Sequence, residues 1–398
     1  MKVRFLTLIM VALVVGCSNP GSATYVAIES PAPFTDGVFV QQGELLRLDL
    51  ETQSVQLLLP SQGDMDFITE SAVFTGDGKA LLIHRDKEGR DSWWAARADG
   101  SDLRRLPLPT DRQVRQVLRL GLTEFVGLLA DGRLVRFDLA GSYEAWEPAS
   151  DDKPVLGIPA TGSPSGNAVA YVAPAGVVVL VPGDGGLIVA CRTFGKEIFG
   201  WLGNGALVTG DGDALHVLDL PCGPSKPVAY RSVFGDRSGL ITVSGHPQGK
   251  VLYAVKQSSI PSGGSTIAAI DPRTLQPLAS LPGHIPTDSR GAPQFSPLGR
   301  YEVWPVRGHS GSAYAASAVV VKVGGGEVLQ VEDTNMVSVA YSFHPRDLGF
   351  VFTDLSRRGT ALVYQDRNGH RHDLKVSPEG WPIRWFEWNP RSGEETGP

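Results

Sequence analysis

The sequence predicts an all-β fold, a ring of about eight four-stranded sheets, and three observations carry that reading. Gly (47) and Pro (29) are abundant in the 398 residues, Met is scarce, and apolar residues almost never recur at helical spacing. That is a composition of short strands and turns. The chain past residue 33 repeats one grammar: an apolar strand, a Gly or Asp turn, a second strand, a polar turn and two further strands. The turn before each last strand falls at Asp49-Leu50, Asp99-Gly100, Asp138-Leu139, Gly183-Asp184, Asp219-Leu220, Asp271-Pro272, Gly324-Gly325 and Asn368-Gly369. These lie about 45 residues apart on average, the period of propeller blades, and eight is within the range of about four to eight blades. Seven is the runner-up count, because the third to fifth units are degenerate.

Residues 1–16 read as a signal peptide. Lys2 and Arg4 form a short basic segment, Phe5 to Val15 an apolar run, and Gly16 precedes Cys17. An apolar run of about eleven residues is too short to span a bilayer, which needs about twenty. Val14-Val15-Gly16-Cys17 resembles the lipobox of bacterial lipoproteins, which implies cleavage before Cys17 and lipidation of its thiol and amino group. Acyl chains, at roughly 0.8 kcal/mol per buried methylene, would make that anchor stable. The resemblance also implies, from Ser18, outer-membrane sorting with the domain facing the periplasm in a diderm cell, and the outer face of the cytoplasmic membrane otherwise. Cys17 to Pro33 then read as a lipidated cysteine and flexible tether, rich in small residues and Pro.

Residues 34–390 are expected to form the propeller. The unit Gly37–Pro60 lacks its first strand. The clearest unit runs from Ser71 to Leu106, with a hairpin turn at Gly76-Asp77-Gly78-Lys79, a buried strand over Ala80–His84, a polar turn at Asp86–Arg90, a third strand over Trp93–Arg97 and the Asp99-Gly100 turn into a fourth. This segment resembles the blade repeat of TolB-like β-propellers, which implies the same fold. Weaker copies open at Phe295-Ser296-Pro297 and Phe343-His344-Pro345, and Ser356–Tyr364 repeats the middle turn and third strand. Trp385-Phe386-Glu387-Trp388-Asn389-Pro390 opens a blade that nothing follows. Pairing it with the incomplete first unit closes the ring and removes exposed sheet edges. Residues 391–398 are expected to trail as a polar tail.

A net charge of −6 and a pI near 5.8 give no general attraction for nucleic acid or anionic lipid. With Cys17 assigned to lipid, Cys191 and Cys222 remain in an oxidising compartment, as a disulfide or as two separate thiols. No catalytic set emerges. Gly162–Gly166 and Gly308–Ser312 both miss the nucleophile elbow and read as turns. The propeller resemblance extends to peptidases that pair such a ring with a hydrolase domain, for which these residues give no counterpart. His370 and His372 sit at strand spacing without zinc partners, and Gly210–Asp213 reads as a hairpin turn rather than a calcium loop. The tryptophans are expected to pack between blades, with one of the adjacent Trp93 and Trp94 exposed to a ligand. Arg104, Arg105, Arg112, Arg115 and Arg119 alternate with Asp91, Asp99, Asp102 and Asp111 as a balanced solvated surface.

The expectation is a monomeric, lipid-anchored propeller that binds envelope proteins through one face, meets the membrane through its lipid alone, and uses no metal, cofactor or nucleic acid. The competing reading is a propeller enzyme, lactonase-like or quinoprotein-like, with its site at the central channel mouth. Three or more convergent carboxylates or histidines at that mouth would favour the enzyme, a mixed or apolar rim the scaffold.

Overall fold

The computed structural model describes residues 35–61, 68–87, 90–107, 114–183, 186–193, 195–203, 205–220, 223, 226–235, 240–257, 265–279, 285, 289, 291–307, 316–323, 328–331, 342–354, 360–377 and 383–392. Cys17, Cys222, Asp111, Arg112 and Gly308–Ser312 lie outside them.

Eight antiparallel sheets follow one another as blades of a closed propeller. Blade 2 sets the pattern, with Ile68–Phe74 innermost, then Ala80–Lys87, Arg90–Arg97 and Arg104–Arg105. Blade 3 begins with Val114–Leu120, blade 4 with Thr161–Gly162, blade 5 with Glu197–Leu202, blade 6 with Ile241–Gly245, blade 7 with Gln294–Phe295 and blade 8 with Ser342–Phe343. Blade 6 shows three strands among the described residues, and the bridge between Ile270 and Pro277 marks the place of its fourth. The longest helix described is the single turn Tyr230–Phe234, and no described helix is long and apolar enough to cross a membrane.

Blade 1 is built from both ends of the ring. Gly37–Gln41, Glu44–Asp49 and Ser54–Leu59 supply its outer three strands, and Ile383–Trp388 its innermost, with Gly37 opposite Trp388 and Phe39 opposite Phe386. The closure expected of the last strand is therefore the observed one. It covers the inner edge of Gly37–Gln41.

Between consecutive blades lies one apolar cluster, eight in all around the ring. A middle strand therefore buries both faces, and runs such as Val177–Leu180 read as continuously apolar rather than alternating. The same geometry corrects the expectation that Trp93 or Trp94 is exposed. The two rings do point to opposite faces, but Trp93 enters the cluster shared with blade 3 and Trp94 the one shared with blade 1, and both are buried.

The turn between first and second strands brings every blade to one face of the disc, where a hydrogen-bonded collar forms. The Asn389 amide donates to the Gly78 carbonyl at 2.9 Å and to Thr35 O at 3.0 Å, Asp77 N to Leu122 O, and Gly121 N to Gly166 O at 2.8 Å. His246 Nε2 donates to Gly299 O at 3.1 Å, and Ser296 Oγ to Asp347 at 2.7 Å. Gly78 adopts φ +67, and a β-carbon there would collide with the Asn389 side chain, so only glycine fits this joint.

The turns between third and fourth strands lie on the same face, further out. In five blades one aspartate accepts a backbone N–H of its own turn: Asp49 from Thr52, Asp99 from Ser101, Asp138 from Ser142, Asp271 from Arg273 and Asp366 from Asn368, all at 2.8–3.0 Å. This Asx capping is why aspartate marks the repeat in the sequence.

Candidate functional site: the channel mouth

The eight innermost strands surround the channel, and on the turn face it widens into a cavity of about 630 Å³. Its lining mixes the aromatic rings of Trp201 and Phe295, the prolines of the collar turns, serines such as Ser244, and two charged groups, Arg119 and Glu387.

Arg119 belongs to the first strand of blade 3 and Glu387 to the closing strand of blade 1, so their Nη2 and Oε1 atoms meet at 3.4 Å across the first strand of blade 2. On a strand whose alternate residues Phe386 and Trp388 are buried between blades, Glu387 is left facing the channel. That carboxyl is half-buried at the edge of the cavity. Burial pushes it up to about 7, against the opposing pull of Arg119. The pair can hold one polar or charged group of a ligand and exchange a proton near neutral pH. Trp388 donates to Ser342 O at 3.0 Å and Trp385 to Ala72 O at 2.9 Å, tying the closing strand to both neighbouring blades.

Neither Arg119 nor Glu387 was singled out as a site residue by sequence reasoning, which placed Arg119 in a solvated basic stretch. The available signal was a charge at a period-two position of an innermost strand. Arg104 does match that surface reading, with Asp102 at 3.3 Å and Leu139 O at 2.7 Å.

The histidine, aspartate and serine candidates are not brought together. His370 is an exposed partner of Asp366, whereas His372 stacks near Tyr364. Asp211 accepts from Asp213 N, Ala214 N and the His216 ring within its hairpin turn. Ser163 Oγ accepts from Ala168 N as a turn residue. Cys191, buried in the outermost strand of blade 4, is disulfide-bonded, and Cys222 lies outside the described residues. Among the described residues no group of three or more His, Cys, Asp or Glu is placed to share a metal ion. A second, smaller cavity of about 310 Å³ opens on the opposite face between blades 5 and 6, beside Lys196, Glu197, Asp211 and Tyr230.

One serine, histidine and aspartate do converge, but as a joint. His344 Nδ1 accepts from Arg346 N, so Nε2 carries the proton and donates to Ser392 Oγ at 2.9 Å, and Ser392 Oγ donates to Asp36 at 2.5 Å. The serine sits between the other two and all three are buried, so no nucleophile is presented. Arg391 and Ser392 thus belong to the ring's last turn, two residues into the segment expected to be a tail, and 393–398 lie outside the described residues.

No protein-family model and no curated protein sequence matches the chain. Solved structures do. A eukaryotic initiation factor structure is similar at 11% identity over 90% of this chain and 99% of that one, with a TM-score of 0.56. Oligogalacturonate lyase from Vibrio parahaemolyticus matches at 13% identity, 85% and 100% coverage and a TM-score of 0.51. TolB from Acinetobacter baumannii matches at 14% identity, 87% and 78% coverage and a TM-score of 0.40. What the initiation factor and the lyase share with the chain is the fold. At such identities a propeller carries its function in loops and mouths that differ from one protein to the next.

Proposed function

We propose that this protein is a lipid-anchored propeller of the cell envelope that serves as a non-catalytic binding scaffold for another envelope protein. The observation that carries the reading is the channel mouth, where one carboxyl and one guanidinium stand among aromatic, proline and serine side chains. Among the described residues that is a mixed rim, short of the convergent carboxylates or histidines a propeller enzyme would assemble there. Cys17 supplies the anchor in this reading, and one face of the ring supplies the partner site. The enzyme reading keeps one specific support, the Glu387 carboxyl poised near pH 7 as a proton donor or acceptor.

The test pairs binding with turnover, using the full-length protein. Saturable capture of one envelope protein, reproduced when that partner is the bait and competed by untagged chain, with no turnover of esters, lactones, peptides or glycosides, is the expected result. Saturable turnover that Glu387→Gln abolishes without lowering the melting temperature would replace the scaffold with the enzyme.

A further inference from the structure

The point where the chain joins the ring has a consequence for its orientation. Thr35 and Asp36 lead into Gly37–Gln41, the second strand of blade 1, and they do so on the turn face: Thr35 O accepts from Asn389, the residue that also reaches Gly78 O. The chain therefore reaches the disc near the channel mouth rather than at its rim.

Seventeen residues, 18–34, separate Cys17 from Thr35. A random coil of seventeen residues spans about 23 Å on average. Reaching past the disc to the opposite face means crossing about 10 Å over the two outer strands, then about 20 Å along six-residue strands, before side chains are counted. A coil of that length falls short of that detour on average, while the turn face requires none.

The chemistry of that face points the same way. Around the mouth, the collar turns of blades 6, 7, 8, 1 and 2 carry Lys250, Arg300, Arg346, Arg391 and Lys79, with Lys250, Arg300, Arg346 and Lys79 well exposed. Of the carboxylates in these turns, Asp347 and Asp36 are buried, and Asp77 accepts from Thr75 and Lys79 N. The Asx aspartates lie in the outer turns. A positive arc surrounds the mouth, and at physiological ionic strength a surface meets such an arc locally, within about 8 Å.

We propose that the turn face, with the channel mouth at its centre, is held against the bilayer, its inner arc of cations resting on anionic lipid headgroups, and that the opposite face is the one open to a partner protein. This rests on the lipid-anchored reading above. It also adds to the expectation of a lipid-only membrane contact a second, electrostatic one.

The lysines test it directly. Full-length lipidated protein is placed on phosphatidylcholine vesicles with and without phosphatidylglycerol, floated, and acylated with a membrane-impermeant amine reagent before peptide mass analysis. On the anionic vesicles, labelling of Lys79 and Lys250 is expected to fall about tenfold relative to detergent, as for a face docked nine-tenths of the time. Lys196, exposed on the opposite face, should label equally in both. The variant carrying Lys79→Glu, Lys250→Glu and Arg300→Glu should still float yet lose the difference between the two vesicle types. Flotation with Lys196 protected, or with all three lysines labelled alike, overturns the proposal and leaves the anchor standing. A chain that floats on neither vesicle overturns the anchored reading and the proposal together.

Discussion

The imidazole of His344 and the hydroxyl of Ser392, 2.9 Å apart, fasten the last blade to the turn that follows the closing strand. Burial holds His344 down to about 4, well below the ordinary 6.5 of a free histidine. A histidine that stays neutral when folded contributes stability in full above about pH 6.5, and that contribution is lost as pH falls towards 4, where the unfolded chain binds a proton the ring refuses. The full difference is on the order of 3 kcal/mol. Asp36, at the far end of the chain of bonds, is raised by burial and works in the opposite sense. Comparing variants separates the two: His344→Gln should flatten the fall of melting temperature between neutral pH and about pH 5. An unchanged slope would mean that other groups govern acid stability.

Closing the ring by its last strand makes that strand the place where one substitution should be felt by the whole disc. Trp388 is buried at the junction of blades 8 and 1, beside Phe386 and Tyr364. Trp388→Ala should cost about 3–5 kcal/mol. Deleting residues 381–398 should cause aggregation or a large loss of thermal stability, because it uncovers the edge of Gly37–Gln41. A truncated chain that melts with the parent would disprove the closure's role.

The propeller was legible in the sequence because each blade writes its turns locally. Gly78 and Asp99 are each dictated by a hydrogen bond or clash, and the aspartate constraint recurs in five blades. The site was not legible for the opposite reason. Arg119 and Glu387 are 268 positions apart, and Asp36 and Ser392 are 356 apart, so only ring closure makes them neighbours. Trp93 and Trp94 misled in a third way: strand alternation gives the direction of each ring, but only the packing of blades on both sides shows that neither direction leads to water.

The anchor makes a separate prediction. Cys17→Ser should release the protein from membranes after a high-salt wash while its melting temperature stays that of the parent, since the ring closes within residues 35–392. Detergent-phase partitioning reads the first and calorimetry the second. A variant still in the membrane fraction after the wash would show that something other than the lipid holds it.

Glu387 gives the prediction of opposite sign to His344. Its carboxyl is raised from the ordinary 4.5 to about 7, so between those values the unfolded chain has lost a proton that the folded ring keeps. Stability from this group is complete below pH 4.5 and is lost as pH rises through 7. The side chain is 22% exposed and lines the channel mouth, which discounts the full difference to about 1–3 kcal/mol. Glu387→Gln keeps the shape and removes the titration, so it should match the parent in acid and exceed it at about pH 8. Arg119→Met supplies the control: without its cation the Glu387 carboxyl should titrate higher still, moving the loss of stability to higher pH. Melting curves of the three proteins across this range decide the matter. If Glu387→Gln tracks the parent at every pH, the carboxyl is already hydrated through the channel. The mouth would then be an open, water-filled rim rather than a desolvated site able to grip a ligand.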